Sequence, residues 1–81
     1  MDDKLDASVQ KILAELRADM EEPAILRSHP KMKAWTGVGS RRLANLDSEG
    51  KGPRERVLIG KQVAYPRDAL LEWIASRLKA A

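Results

Sequence analysis

Glycine and proline punctuate the middle of this chain so closely that only short elements fit between them. In GVGSRRLANLDSEGKGPRERVLIGKQVAY, residues 37–65, one polar stretch of helical character lies between Gly39 and Gly50. Ser40 suits a helix N-cap, because its hydroxyl can accept from a backbone N–H two or three residues on. Leu43 and Leu46 are three apart and share one inward face. Arg41, Arg42, Asn45 and Ser48 then point elsewhere, a set rich in hydrogen-bond donors. Gly50, Gly52 and Pro53 stop the helix and turn the chain. Val57-Leu58-Ile59 is β-prone, Gly60-Lys61 suits a type II′ turn with glycine first, and Val63 to Tyr65 begin a return strand.

The flanking segments are simpler. Leu5, Val9, Ile12, Leu16 and Met20 recur at helical spacing, with Leu13 beside them, and Pro23 closes the pattern. Asp2-Asp3 place negative charge where the helix macrodipole favours it. Ala24 to Ser28 reads either as one strand or as an extended lead-in. His29-Pro30 predicts the start of a helix carrying Met32 and Trp35, with Gly37 at its turn into the next. A last helix runs from Arg67 to Lys79 behind Pro66, its apolar side made by Leu70, Leu71, Trp73, Ile74 and Leu78. Trp35 and Trp73 are the bulkiest side chains available and are expected to anchor the core. The expected organisation is an acidic amphipathic helix over residues 1–23 and a small domain over 24–81.

At 81 residues there is room for only a small core, and with no cysteine neither a disulfide frame nor a thiolate metal site can supplement it. His29 is the one histidine and is expected to be a solvated loop residue, so no metal ligand set is assigned. GVGSRR has Gly-x-Gly but not the third glycine of a dinucleotide fingerprint, and no nucleophile–base pair is in view. The chain is therefore expected not to be an enzyme and to need no cofactor. Neither a membrane span nor a signal-peptide pattern is seen, so a cytoplasmic protein is expected. Charge is divided unevenly. Residues 1–26 carry three cations against seven acids, a net −4, and the rest carries twelve against five, a net +7. A strongly basic segment beside an acidic one points to a polyanionic partner. A donor-rich helix followed by a basic hairpin points more narrowly to nucleic acid: helix in one groove, hairpin on the neighbouring backbone.

Thr36-Gly37-Val38, Arg41-Arg42-Leu43, Glu49-Gly50-Lys51-Gly52-Pro53, Val57-Leu58-Ile59-Gly60-Lys61, Val63-Ala64-Tyr65, and Asp68-Ala69-Leu70 with Trp73-Ile74 follow one another in a specific order. Over Leu26 to Leu78 that order resembles the compact winged-helix domain of phage excisionases and AlpA-type prophage regulators, related to the DNA-binding heads of MerR-like activators. The resemblance implies a mainly α fold with a small β-hairpin, a winged helix-turn-helix preceded here by an extra N-terminal helix. It also implies sequence-specific binding of double-stranded DNA. Ser40, Arg41, Arg42 and Asn45 would belong to the recognition helix, and Lys51, Arg54, Arg56, Lys61 and Gln62 to the wing. An excisionase of this type bends attachment-site DNA so that a phage-type integrase favours excision, and it can also regulate transcription. A dedicated AlpA-type regulator is the alternative. A reading of another class is a protein-binding adaptor acting through the N-terminal helix. The chain departs from the family pattern at Lys33, at Asn45-Leu46-Asp47 and in its acidic first helix. Asp47 and Glu49 are expected to repel phosphates. The Leu5, Val9, Ile12, Leu16 stripe is expected to pack partly on its own domain and partly on a second copy.

Overall fold

A computed structural model describes the backbone of residues 3–78 and the side chains from residue 7 onward. The side chain of Leu5, and Lys79, lie outside the described residues. Among the described residues, four helices and one small antiparallel sheet follow one another as α1 (Asp3–Asp19), β1 (Ala24–Leu26), α2 (Met32–Thr36), α3 (Ser40–Ser48), β2 (Val57–Ile59), β3 (Gln62–Pro66) and α4 (Arg67–Arg77). The fold is thus mainly α. The expected hairpin is one strand larger, because Ala24–Leu26 pairs with β3 and gives the order β1-β3-β2. Ile25 faces Tyr65 across that ladder, and both are fully buried, which is what holds so short a strand in place.

The hairpin itself follows the turn chemistry. Ile59 pairs with Gln62, leaving Gly60-Lys61 as a two-residue loop. Gly60 has φ +64°, whereas among the described residues no non-glycine has positive φ. That combination is the type II′ pattern, with glycine first. Gly50, at φ +74°, ends α3 in the left-handed conformation. Its N–H donates to Asp47 O at 3.1 Å, and the Lys51 N–H donates to Leu46 O at 2.8 Å, a Schellman closure.

Two helix starts differ from expectation. Gly39, extended at φ −76° and ψ 170°, is the N-cap of α3, so Ser40 is the first helical residue and caps nothing through its side chain. The helix before it starts at Met32, after Pro30. The His29 carbonyl accepts from Met32 N and His29 Nδ1 accepts from Lys31 N, both at 3.0 Å, forming a turn ahead of the helix. His29 is also less solvated than expected. It is half-buried and stacks on Trp35 with ring centroids 4.6 Å apart.

One core joins Met20, Ile25, Met32, Trp35, Leu43, Leu46, Tyr65, Leu70, Trp73 and Ile74, and Leu13, Leu16, Val63 and Leu78 pack against it. Helix α1 belongs to that core through its C-terminal end. Met20 is fully buried, its carbonyl accepts from Arg67 Nη1, and Asp19 Oδ2 accepts from Trp35 Nε1 at 2.8 Å. The expected stripe needs one correction. The inward line runs through Val9, Leu13, Leu16 and Met20, while Ile12 remains 41 % exposed. Leu13 replaces it because α1 lies along α4, where Leu13 and Ala14 border a cleft with Leu71 and Ala75. Among the described residues no helix is long and apolar enough to cross a membrane.

Candidate nucleic-acid interface

α2 and α3 are joined by only three residues, Gly37 to Gly39, so the start of α3 is held close to α2 by a short connection. Leu43 and Leu46 turn into the core, which leaves Arg41, Arg42, Asn45 and Ser48 exposed on the outer side. β3, central in the sheet, carries the hairpin tip toward the same end of the molecule. The result is an open groove lined by Arg27, Ser28, Ser40, Arg41, Ala44, Lys61, Gln62 and Val63. It contains three cations and no acidic side chain.

Of the nine residues singled out from sequence, Ser40, Arg41, Lys61 and Gln62 are brought together in this groove. Arg42 and Asn45 are exposed on α3 without lining it. Lys51 is exposed next to Glu49, at 3.8 Å, and its backbone carbonyl accepts from Trp73 Nε1 at 2.9 Å, which ties the loop to α4. Arg54 turns toward α4, where Nε donates to both Glu72 carboxylate oxygens at 3.2 Å and Nη1 pairs with Glu55. The bond to Glu72 raises the Arg54 pKa further. Arg56 lies 3.8 Å from Asp47 Oδ1.

The residue whose position changes the site most is Asp47. It does not face outward as an obstacle to phosphates but is buried. Arg27 Nη2 donates to its Oδ2 at 2.6 Å, the Tyr65 hydroxyl donates to the same oxygen at 2.5 Å, and Arg27 Nε donates to the Tyr65 oxygen at 3.0 Å. Arg27, Tyr65 and Asp47 thus close a three-membered relay that joins the residue after β1 to β3 and α3. Burial is the main cause that pushes the Tyr65 hydroxyl up to about 12. Burial also works against the Arg27 charge, yet the bonds it donates to Tyr65 and Asp47 outweigh that and raise the Arg27 pKa. The negative charge of Asp47 is therefore spent inside the molecule, against an arginine that itself borders the groove.

Arg27 and Ser28 were not among the residues singled out from sequence. The local signal for them is slight: a cation directly after the apolar Ala24-Ile25-Leu26 run, in the stretch where the chain leaves β1. Arg27 N donates to Val63 O at 2.9 Å, so the pairing of β1 with β3 carries the arginine to the groove. Beyond the His29–Trp35 stack, the Asp19 carboxylate is held below its usual pKa by the Trp35 hydrogen bond and by Lys31. That cluster ties the end of α1 to α2 and the residue before it. Among the described residues no group of His, Cys, Asp or Glu side chains is arranged to hold a metal ion.

Compared with protein-family models, curated proteins and solved structures, the chain finds no match.

Proposed function

We propose that this chain binds double-stranded DNA as a winged helix-turn-helix, with α2 and α3 as the two helices and the β2–β3 hairpin as the wing. The observation that carries this reading is the groove that joins the start of α3 to the hairpin tip, basic along its length and free of acidic side chains. In helix-turn-helix proteins the first residues of the second helix meet base edges in the major groove. Arg41 or Arg42 can make the bidentate contact to guanine, and Asn45 can read adenine. On this reading Lys51, Arg56, Lys61 and Gln62 contact flanking phosphates, whereas Arg54 must first leave Glu72. Arg27, anchored by Asp47 and Tyr65, adds a phosphate contact between helix and wing.

On this reading the chain acts by geometry and catalyses nothing. Bound at attachment-site DNA it serves as an excisionase, bending the duplex so that a phage-type integrase favours excision; bound at a promoter, the same surface makes it an AlpA-type regulator. An adaptor role for α1 has one supporting observation, the exposed Ile12 on the outer side of that helix. Partner binding there leaves the DNA surface free, so the two roles are compatible.

The test is DNA binding by the full chain across a salt series. With about four to six phosphate contacts the slope of log affinity against log salt is expected near −4 to −5. Arg41→Ala or Arg42→Ala should cost roughly 1–3 kcal/mol and relax preference at one base pair, while Lys61→Ala weakens all sequences alike and flattens the slope by about one. A flat salt response, or identical behaviour of all three variants, overturns the reading.

A further inference from the structure

Strand β2 is apolar and wet. Val57, Leu58 and Ile59 are 41 %, 69 % and 52 % exposed, three consecutive large hydrophobic side chains beside the hairpin tip. A strand exposed on both faces gains little from the core, and an apolar edge is an aggregation hazard that proteins normally blunt with charge. Here the charges lie at either end instead, Arg56 before the run and Lys61 after it. The nearest acids are occupied, Glu55 by Arg54 and Asp47 by Arg27.

Strand addition does not account for this edge. Val63 O accepts from Arg27 on the β1 side, so the backbone of Val63 is turned away from β2. Leu58, its cross-strand partner, therefore directs its N–H and C=O outward as the one such pair in a three-residue strand. One pair is too short a template for another strand, which leaves the side chains as the feature to be explained.

Resting on the DNA reading above, the geometry points to Leu58 and Ile59 as an apolar wedge that enters the minor groove beside the recognition site and opens one base step. Two observations and a general property of these side chains converge on it. The hairpin tip shares the basic groove with the start of α3, so a helix seated in the major groove brings the tip to the neighbouring minor groove. Cations bracket the apolar pair, which suits a surface that must pass between two phosphate backbones rather than meet an apolar protein face. Leu and Ile are side chains of the kind that unstack a step and kink the duplex by roughly 20–90°. The wedge also assigns the bending to particular residues: α3 sets the register and the two aliphatic side chains of β2 make the kink. Pyrimidine–purine steps open most easily, so one should stand at a fixed distance from the bases read by α3.

The experiment starts with duplexes that the full chain selects from a randomised DNA pool. Selected duplexes are labelled at both ends for energy transfer and carry 2-aminopurine at the flanking step. The wild-type chain should bend them, raise the 2-aminopurine fluorescence, and select a TA or CA step at that position. Leu58→Thr/Ile59→Thr keeps β-prone residues at exposed sites, so thermal unfolding should be unchanged. This variant should bind within about tenfold of wild type and lose the bend, the fluorescence rise and the step preference together. If it binds and bends as wild type does, the wedge is wrong and the DNA reading stands. If it bends normally but no longer sediments as multiple copies on one duplex, β2 is instead a contact between copies, and the wedge is again wrong. If no duplex is selected by the wild-type chain, the DNA reading fails and the wedge with it.

Discussion

Replacing Arg27 by methionine should be among the most damaging single changes outside the apolar core, and a second change at Asp47 should partly repair it. Arg27→Met removes the partner of a carboxylate whose side chain is only 4 % exposed. Breaking a buried pair from one side costs about 3–5 kcal/mol because the other charge is stranded. The lower end applies here, about 3 kcal/mol, since Tyr65 still donates to Asp47 and Arg56 waits at 3.8 Å. For a domain of this size that lowers Tm by roughly 12–24 °C, taking 4–8 °C per kcal/mol. Asp47→Asn alone keeps an acceptor for Tyr65 and weakens only the charge-assisted bond, at a cost of about 1 kcal/mol. In the Arg27→Met background the same substitution removes the stranded charge and should restore about 1–2 kcal/mol. Asp47→Asn thus changes sign with its background. Urea denaturation followed by fluorescence of the buried Trp35 and Trp73 measures all four species. Additive losses, or an Arg27→Met cost below about 1 kcal/mol as for a surface pair, would refute a buried, coupled relay.

Tyr65 is the single tyrosine, so tyrosinate absorbance reports it alone: its midpoint should lie near 12 in the folded chain and near 10 in denaturant. The raised folded value means stability is full below pH 10 and falls as pH climbs toward 12, by about 3 kcal/mol; a native midpoint near 10 contradicts this. Gly52→Ala would place a Cβ onto Asp47 Oδ1, in a carboxylate that cannot swing away, and should cost roughly 1–3 kcal/mol by denaturant titration. Most of that cost should vanish in an Asp47→Ala background, where the obstructing oxygen is gone. Removing residues 1–22 extracts Met20 from the core and should destabilise the domain by about 2–5 kcal/mol; unchanged stability with lost cooperativity on DNA would instead show that α1 acts between copies.

Where a feature was decided by neighbours in the chain, sequence was enough. Leu43 and Leu46 share a helix face whatever they pack on, the Gly60-Lys61 turn follows from its own chemistry, and Leu70, Leu71, Trp73 and Ile74 mark the buried side of α4, although the helix ends at Arg77 and leaves Leu78 as an extended cap. Features decided by distant partners stayed open or were missed. Residues 24–26 become a strand because β3, some forty positions later, offers Tyr65 to Ile25. The inward line of α1 passes through Leu13 rather than Ile12 because α4 sets the helix's rotation, and periodicity alone permits both. Gly39 takes the N-cap that Ser40 is better equipped for, because the short turn from α2 is already extended one residue earlier.

Asp47 shows the same division at the candidate interface, where it matters most. Judged along α3 alone, an acid two residues after Asn45 opposes phosphate binding. Its partners lie 20 residues upstream at Arg27 and 18 downstream at Tyr65, and they turn the acid inward. Each member of that relay belongs to an element or chain end that borders the groove: Arg27 after β1, Asp47 on α3, Tyr65 on β3. A purely apolar contact would hold these three together without fixing their angular relation, whereas hydrogen bonds to shared oxygens are directional. The buried carboxylate therefore does for the surface what its exposed form would undo. It orients α3 against the sheet and fixes Arg27 at the groove, so the acid that α3 alone presents as an obstacle becomes the residue on which the alignment of helix and hairpin depends.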